Sequence, residues 1–313
     1  MARPEPRRAA APRRRYLGNG FTLEVPAAWR DVSFYAFQGP ELKGFRPVVA
    51  VQVEENIRDP DVERFTRPRL ERLLRSASNA RLTKRERVRL GGGVEAIRAE
   101  IRAFTPDENR MYHRLLFAVA NETGFLLSSA LTRHARLAIA SGIDAVMASL
   151  RFPHGEAPLK DEWIRAGRFA LKLPEGWTDE SLVMFAEPDR KRFRRTLTVR
   201  RTTGEAPAPD EAEWAKAEIE ILAGSVPGFE LLSHKETVTL DGASAQLFAF
   251  RRNAGKKDAL LHTGLLAWRG EARFTAIATT ESQPPKAIER ALVPMLRSLA
   301  APPEGRSDGP LRV

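Results

Sequence analysis

The sequence predicts an α+β fold that occurs twice along the chain, each copy having an antiparallel sheet with helices packed on one face. Three observations support this prediction. Residues 21–53 align without a gap with residues 169–201, and 12 of the 33 paired positions are identical. Apolar and polar residues alternate over short segments of both copies, as in half-buried strands. Short turns such as "NETG" and "WRGE" join consecutive strands, which indicates antiparallel pairing.

The first half of each copy is predicted to contain three strands. The segments "FTLEV" and "FALKL" alternate in polarity and are followed by the turns "PAAW" and "PEGW". A second strand is expected at 33–38 and 181–186, and a third at 48–53 and 196–201. The matching order of these segments indicates that each copy folds in the same way.

A helix is predicted to follow the third strand. In the second copy, Asp210 is a suitable N-cap, and Trp214 and Ile221 fall on one helical face. In the first copy, Asp59 and Pro60 suit a helix start, but Pro68 is expected to break or kink the run.

The second half of each copy is predicted to contain three more strands and a closing helix, which gives the order βββ-α-βββ-α. The strands are expected at 94–103, 111–120 and 124–132, and at 243–252, 260–268 and 272–280; the helices are expected at 135–150 and 284–299.

The repeat period of about 150 residues is that of a whole domain rather than a solenoid unit. A chain of 313 residues also suits two domains. The predicted organisation is a disordered basic tail at 1–15, a first domain at 16–153, a linker at 154–163, a second domain at 164–301 and a tail at 302–313.

Composition limits the classes of function. The absence of cysteine excludes a disulfide framework, a thiolate zinc site and a cysteine nucleophile. The formal net charge is +11, but six arginines and a single glutamate lie in residues 1–15, so the two bodies are closer to balance and nucleic acid is not the predicted partner. Residues 189–201, "DRKRFRRTLTVRR", are open to three interpretations: a nucleic-acid stripe, protection of a sheet edge, or attraction of an acidic partner.

The sequence also shows no pattern typical of a secretory signal or a membrane span. The N-terminal arginines are not followed by an apolar segment, and no run of 18 apolar residues occurs. We therefore expect no secretory signal, no stable membrane insertion and a cytoplasmic location.

Candidate catalytic residues are few, and no enzyme activity, metal or cofactor is predicted. His113 and His262 recur in the duplicated strand, either as a ligand or base or as strand histidines hydrogen-bonded to a neighbour. Asp31 and Asp179 recur after the turn and are expected to tie it down rather than to act as acids or bases.

Two recurring tryptophans, Trp29 and Trp177, form either a ligand-stacking pair or plugs of the core. Their position between strands and beside a proline favours the core.

The second predicted strand is apolar on both faces, although a sheet covered on one face should alternate with polar residues. The second face is therefore covered either by the other domain or by an apolar partner. The third strand contributes small and hydroxyl side chains to this face, which permit close approach by a helix. The predicted partner-binding residues are Phe34, Ala36, Val48, Ala50, Gln52, Leu182, Met184, Thr196, Thr198 and Arg200.

Several motifs recur in a fixed order. A strand of the type F-x-L-x-[LV]-P precedes a tryptophan and an Asp-x-Ser in both copies, followed by the strand "FRRTLTVRR" in the second copy, an L-x-G before a later strand, and a closing helix ending in "SL". This order resembles the DcrB-like family, whose fold is the PsbP-like fold, over nearly the whole chain.

The resemblance implies a function. Members of this family without signal sequences are similar to Eag-type chaperones of type VI secretion, which hold the transmembrane helices of effectors before export. Typical Eag chaperones are single-domain homodimers, and this chain departs from them by carrying two copies. We therefore expect a monomeric, non-enzymatic chaperone or effector adaptor with an internal pseudo-twofold axis. The alternative is a soluble protein-binding regulatory module of the same fold with an unrelated partner.

Overall fold

The secondary structure forms the same series of elements twice. The computed structural model describes residues 12–42, 44–76, 79–105, 109–153, 163–188, 193–203, 210–253, 255–282, 284 and 286–301. The elements of the first half are β1 (Arg13–Gly18), β2 (Phe21–Pro26), β3 (Arg30–Asp31), β4 (Tyr35–Gln38), β5 (Val48–Glu55), α1 (Val62–Ser76), β6 (Arg81–Arg89), β7 (Glu95–Phe104), β8 (Arg110–Ala120), β9 (Thr123–Thr132) and α2 (Arg133–Ala148). The elements of the second half are β10 (Trp163–Ala166), β11 (Phe169–Lys172), β12 (Thr178–Asp179), β13 (Leu182–Ala186), β14 (Thr196–Thr203), α3 (Glu211–Ser225), β15 (Glu230–Val238), β16 (Ser244–Arg252), β17 (Leu260–Arg269), β18 (Ala272–Glu281) and α4 (Lys286–Arg297).

Two seven-stranded antiparallel sheets dominate the fold. Their strand orders are β12-β4-β5-β9-β8-β7-β6 and β15-β16-β17-β18-β14-β13-β3. Each sheet thus takes one two-residue strand from the other half of the chain. The α+β class and the antiparallel pairing predicted from the sequence are confirmed.

The two sheets are joined at their centre by a pair of antiparallel segments, 30–38 and 178–186. The β3 strand pairs with β13, and β12 pairs with β4. Between these pairs, the Phe34 N–H donates to the Leu182 carbonyl (2.9 Å) and the Leu182 N–H donates to the Phe34 carbonyl (2.8 Å). Phe34 and Leu182 are equivalent in the aligned repeat, so this bridge marks an internal pseudo-twofold axis.

The two helices of each half lie on opposite faces of the sheet, so the predicted packing of both on one face is wrong. Helix α1 packs against Ile97 and Leu115, whereas α2 packs against Leu116 and Leu127. Helices α3 and α4 are arranged likewise on the second sheet. Amphipathic helices and strands that are apolar on both sides are compatible with either arrangement, and long-range packing selects one.

Each half completes the core of the other through its first hairpin. The β11 strand bridges Arg151, beyond the end of α2, and Phe169 packs edge-on against Tyr35 with ring centroids 5.0 Å apart. Reciprocally, β2 bridges Ala300 beyond α4, and Phe21 packs against Phe274 at 5.5 Å. A single apolar core therefore contains residues of both halves.

Several predicted details need correction. Residues 13–15, assigned to the tail, form the start of β1. Residues 1–11 of that tail lie outside the described residues, as do 302–313, the linker residues 154–162 and residues 189–192 of the basic run. Pro68 does not break α1, which continues through it. The sequence did not predict β1, β6, β10 and β15 or the two-residue strands β3 and β12; β6 and β15 are mostly exposed edge strands whose sequences lack an apolar face.

The predicted domain boundaries stay a prediction, since the structure interleaves the two halves rather than separating them. The predicted helix cap is confirmed, because Asp210 Oδ1 accepts the Glu213 N–H at 2.9 Å. In the first half the cap is Asp61, whose Oδ1 accepts the Glu63 N–H at 2.7 Å.

Candidate functional site

All ten predicted partner-binding residues lie on one face of the joined sheet, on the side opposite the shared core. In β4 and β5, Tyr35, Phe37, Val49 and Val51 point into that core, so their neighbours in sequence point outward. The register places Ala36 opposite Ala50. The same alternation holds in β13 and β14, where Val183, Phe185, Leu197 and Val199 point inward. We call the outward surface formed by the ten residues the floor.

The floor crosses the pseudo-twofold axis without interruption. Phe34 meets Leu182 at the axis, and both are exposed, at 54% and 37% of their surface. From there Leu182 lies opposite Arg200, and Met184 lies opposite Thr198. Ala36 is buried, which fits a small residue between larger neighbours.

Sequence reasoning missed four further residues that extend the floor. Ser128 lies opposite Ala50, and Ile277 lies opposite Thr198. Ala130 and Thr279 lie two residues further along the same faces. The period-two alternation in β9 and β18 carried the signal that would have found them.

Helices α1 and α3 stand on the same face as the floor and bound it on two sides. Helix α1 contacts β7 and β8, and α3 contacts β16 and β17, so the described helices on this face pack mainly over the outer strands of the joined sheet. From β9 to β18 there are five strand spacings, or about 24 Å, against about 10 Å for the diameter of a helix with side chains. The arrangement is a trough with a sheet floor and two helical walls.

The same hydrogen bonds occur in both halves beneath the axis, and they explain the two Asp-x-Ser motifs. Asp31 Oδ1 accepts the Ser33 N–H, and Asp179 Oδ1 accepts the Ser181 N–H, both at 3.0 Å. Each serine then accepts a backbone N–H from the other half: the Ser33 hydroxyl from Met184 (2.9 Å) and the Ser181 hydroxyl from Ala36 (3.1 Å). The predicted role of the aspartates in tying down the turn is confirmed.

A polar cluster lies below the floor on the core side. The Tyr35 hydroxyl donates to Asp31 Oδ2 (2.9 Å) and contacts the Tyr16 hydroxyl (3.2 Å). Burial raises the pKa of Asp31 above its usual range, although hydrogen bonds from Ser33 and Tyr35 oppose that shift. Burial also raises the pKa of both tyrosines. The cluster links β1 to segment 30–38, which together with its antiparallel partner, segment 178–186, forms what we call the crossing.

The contacts of His262 and of the two recurring tryptophans indicate structural roles. His262 stacks on Phe250 with ring centroids 4.5 Å apart, and its Nδ1 lies 3.0 Å from the Thr279 hydroxyl. Burial lowers the pKa of His262 to about 4 and also lowers that of His113. Trp29 is buried in the shared core and Trp177 packs against it, which confirms their interpretation as core residues.

A cavity of about 270 Å³ lies where the floor meets α1. Its wall combines apolar and charged groups. The lining residues are Gln52, Val53, Glu54, Phe65, Arg69, Arg72, Leu73 and Leu126. Arg69 stacks over the Phe65 ring at 3.7 Å and forms an ion pair with Glu54. Among the described residues, Arg72 forms no ion pair or side-chain hydrogen bond.

Other kinds of site are not apparent within the described ranges. Those residues include no group of three or more His, Asp and Glu side chains placed to hold a metal ion. No helix there has both the length and the apolar content needed to cross a bilayer. The geometry defines a protein of the α+β class whose distinctive external feature is an open trough.

Comparisons with known proteins agree with this architecture. The DcrB family model matches residues 169–284, which confirms the DcrB-like resemblance for most of the second half. The structure is similar to immunity protein TplEi of the T6SS from Pseudomonas aeruginosa in its apo form, with a TM-score of 0.55 and 11% identity, covering 93% of this chain and 97% of that one. It is also similar to TplEi complexed with "L" peptide, with a TM-score of 0.51 and 12% identity, covering 93% of this chain and 98% of that one. At these identities the likeness establishes the fold. A search of curated proteins found no significant match.

Proposed function

We propose that this protein is a non-enzymatic chaperone or adaptor that binds an apolar transmembrane helix of a type VI secretion effector in the cytoplasm before export. The observation that carries the proposal is the floor, which holds exposed Phe34 and Leu182 at its centre, Gln52 and Arg200 in the same row, and the small or hydroxyl side chains of Ala36, Ala50, Thr196 and Thr198 beside that row. Such a surface combines apolar area with room for the close approach of a helix backbone.

Among the described residues, none packs over the centre of the floor, where Phe34 and Leu182 are exposed, although the opposite face is packed against α2, α4 and the two hairpins. A pair of exposed apolar side chains at the centre of an open trough fits a surface that is covered by a partner. The similarity to a T6SS immunity protein over both halves supports the association with type VI secretion.

The second candidate is a soluble protein-binding regulatory module that recognises an unrelated partner rather than an apolar helix. It is favoured by the full-length similarity to TplEi, one structure of which is complexed with a peptide. The two candidates differ in the ligand, because the first requires an apolar helix and the second does not.

The test is binding of a fluorescent 20-residue Leu/Ala helix, solubilised by terminal polar residues, to the native chain and to the double variant Leu182→Asp/Met184→Asp. An uncompensated charge facing an apolar helix costs several kcal/mol, so affinity should fall by about 100-fold or more. The matched control is Leu231→Asp/Leu232→Asp on the exposed strand β15, where the native side chains are 44% and 41% exposed.

The proposal is supported if the floor variant no longer binds the helix but keeps the native melting temperature, while the β15 variant binds the helix normally. If the native chain binds no apolar helix but captures a folded effector domain, the second candidate takes its place. If the floor variant unfolds, Leu182 and Met184 serve folding rather than binding.

We also propose that the protein is a monomer, since the pseudo-twofold partner is present in the same chain. Light scattering at micromolar concentration should give the mass of one chain, and twice that mass would contradict this proposal.

A further inference from the structure

We infer that the trough holds its helix in one direction, with a carboxylate at one end of the helix anchored in the cavity beside α1. This inference rests on the proposed function. A trough with perfect twofold symmetry would accept a helix equally well in two directions related by rotation about the axis. The side chains that line the two walls differ, and this difference removes the equivalence.

A single row of side chains, which runs from Leu126 across the floor, connects the two walls. Leu126 lies opposite Gln52 in the register, Phe34 bridges Leu182, and Leu182 lies opposite Arg200. The row therefore begins at the α1 cavity, passes through the axis and ends on the side of α3. Continued to Thr275, which lies opposite Arg200 in β18, the row spans five strand spacings, or about 24 Å, which matches a helix of about 16 residues.

The walls have opposite charge. Helix α1 contains five arginines and two glutamates, whereas α3 contains four glutamates and one lysine. The difference in charge also holds position by position. Phe65 and Trp214 are each the fourth residue of their helix, so the two helices can be aligned on them. Counting from these, Glu218 occupies the position of Arg69, and Ile221 occupies that of Arg72.

The cavity beside α1 adds a binding pocket to this difference in charge. Its apolar wall, which includes Phe65, Leu73 and Leu126, can receive the last apolar side chain of a helix. Arg72 is exposed at its rim, and Arg69 is held over Phe65. A carboxylate next to that apolar side chain would meet these guanidinium groups.

The macrodipole of the bound helix favours the same direction. A helix carries partial negative charge at its C-terminus and partial positive charge at its N-terminus. The C-terminus is therefore favoured beside basic α1 and the N-terminus beside acidic α3. Arg200, near the far end of the row, opposes this preference, as does Glu54, which lines the cavity and forms an ion pair with Arg69.

The absence of native cysteine permits a clean crosslinking test. Ser76 and Ser225 are exposed final residues of α1 and α3, and each hydroxyl bonds the carbonyl three residues earlier. The variants Ser76→Cys and Ser225→Cys are thus a matched pair. The probe is a Leu/Ala helix of about 16 residues with a C-terminal glutamate, an amidated C-terminus, an uncharged N-terminus and a thiol-reactive group beside the glutamate.

We expect crosslinking at Ser76→Cys to exceed that at Ser225→Cys by about fivefold, the ratio that a partly exposed ion pair provides. Adding Arg72→Glu should abolish or invert the ratio. Adding Arg67→Glu, which makes the same charge change at a side chain that is 79% exposed and outside the cavity, should preserve it.

Binding of the probe is measured separately by anisotropy on the cysteine-free chain. Binding with equal crosslinking at both sites, or a ratio that follows Arg200→Gln instead of Arg72→Glu, overturns the inference and leaves the proposed function standing. Failure of the probe to bind contradicts the proposed function and the inference with it.

Discussion

The two halves of the molecule share their buried framework and differ on their outer surface. At the crossing, equivalent serines accept equivalent backbone N–H groups from the opposite half. On the floor, the first half presents Ala50 where the second presents Thr198, and the wall helices carry opposite charge. The comparison teaches that the hydrogen bonds and core contacts of the crossing constrain both halves alike, while the outer surface is free to become asymmetric.

The largest expected change in unfolding free energy comes from two variants that test whether the halves fold as one unit. Phe169→Ala removes a ring from the first sheet's core, and Phe21→Ala removes its counterpart from the second; each should cost about 3–5 kcal/mol of unfolding free energy. Because each ring belongs to the other half's hairpin, both variants should show a single denaturant transition at lower midpoint.

Tryptophan fluorescence and circular dichroism should report the same transition in these variants. Two separated transitions would mean that the halves unfold independently in spite of the exchanged hairpins.

The second prediction concerns an ion-pair cluster of the second half. The Arg195 guanidinium is buried, donates to Glu187 (3.0 Å) and Glu281 (2.9 Å), and has a raised pKa chiefly through its hydrogen bond to Glu281. Arg195→Ala removes this shared cation and should cost about 3 kcal/mol.

The control is Arg46→Ala in the first half, where Arg46 and Glu41 form an exposed pair at 3.2 Å. Its cost should be at most about 1 kcal/mol in chemical denaturation. Similar costs for both variants would show that burial of Arg195 has little energetic consequence.

The third prediction compares the crossing serines. Ser33→Ala leaves the Met184 N–H without its acceptor, and Ser181→Ala does the same to the Ala36 N–H, so each should cost about 1–3 kcal/mol. Ser33→Ala should cost more, since the Ser33 hydroxyl also donates to the half-buried carboxylate of Asp31. Urea denaturation of both variants measures the difference, and a larger cost for Ser181→Ala would contradict it.

The smallest predicted effect is a pH dependence. Burial lowers the pKa of His262 from 6.5 to about 4, so the folded state resists the protonation that the unfolded state accepts. This histidine's contribution to stability is present above pH 6.5 and is lost as the pH falls toward 4. His262→Gln should therefore flatten the dependence of the melting temperature on pH in this window.

His113→Gln is the matched variant in the first half, where the pKa is also lowered by burial. We expect a change in the same direction and a smaller one. A steeper pH dependence in His262→Gln than in the native chain would contradict the sign.

Local features were predictable because they depend on residues close in sequence. Alternating polarity identified most of the long strands of both halves, Asp210 marked the start of α3, and the Asp-x-Ser spacing indicated an aspartate that ties down the turn. The same alternation placed the ten floor residues on one face, and the structure brings them together. Whether they bind a partner stays a prediction.

The exposed edge strands β6 and β15 escaped sequence reasoning for a physical reason. Their side chains contact water on both faces, so no burial imposes a period of two on residues such as those of "RLTKRERVR". Pro68 was expected to break or kink α1, but the helix continues through it. A helix held by the packing of Phe65 and Leu70 tolerates a proline that an isolated helix would not.

The sequence by itself determined the α+β class, the repeated order of most elements and the apolar double face of the central strands. Only the tertiary structure decided that the hairpins are exchanged, that the helices of each half lie on opposite faces, and that α1 and α3 leave a trough between them. The reason is that the two copies carry nearly the same local pattern. A Phe169 in β11 fits a core of this type in either half, and the choice is made by contacts between residues more than 40 positions apart, such as Phe169 with Phe125.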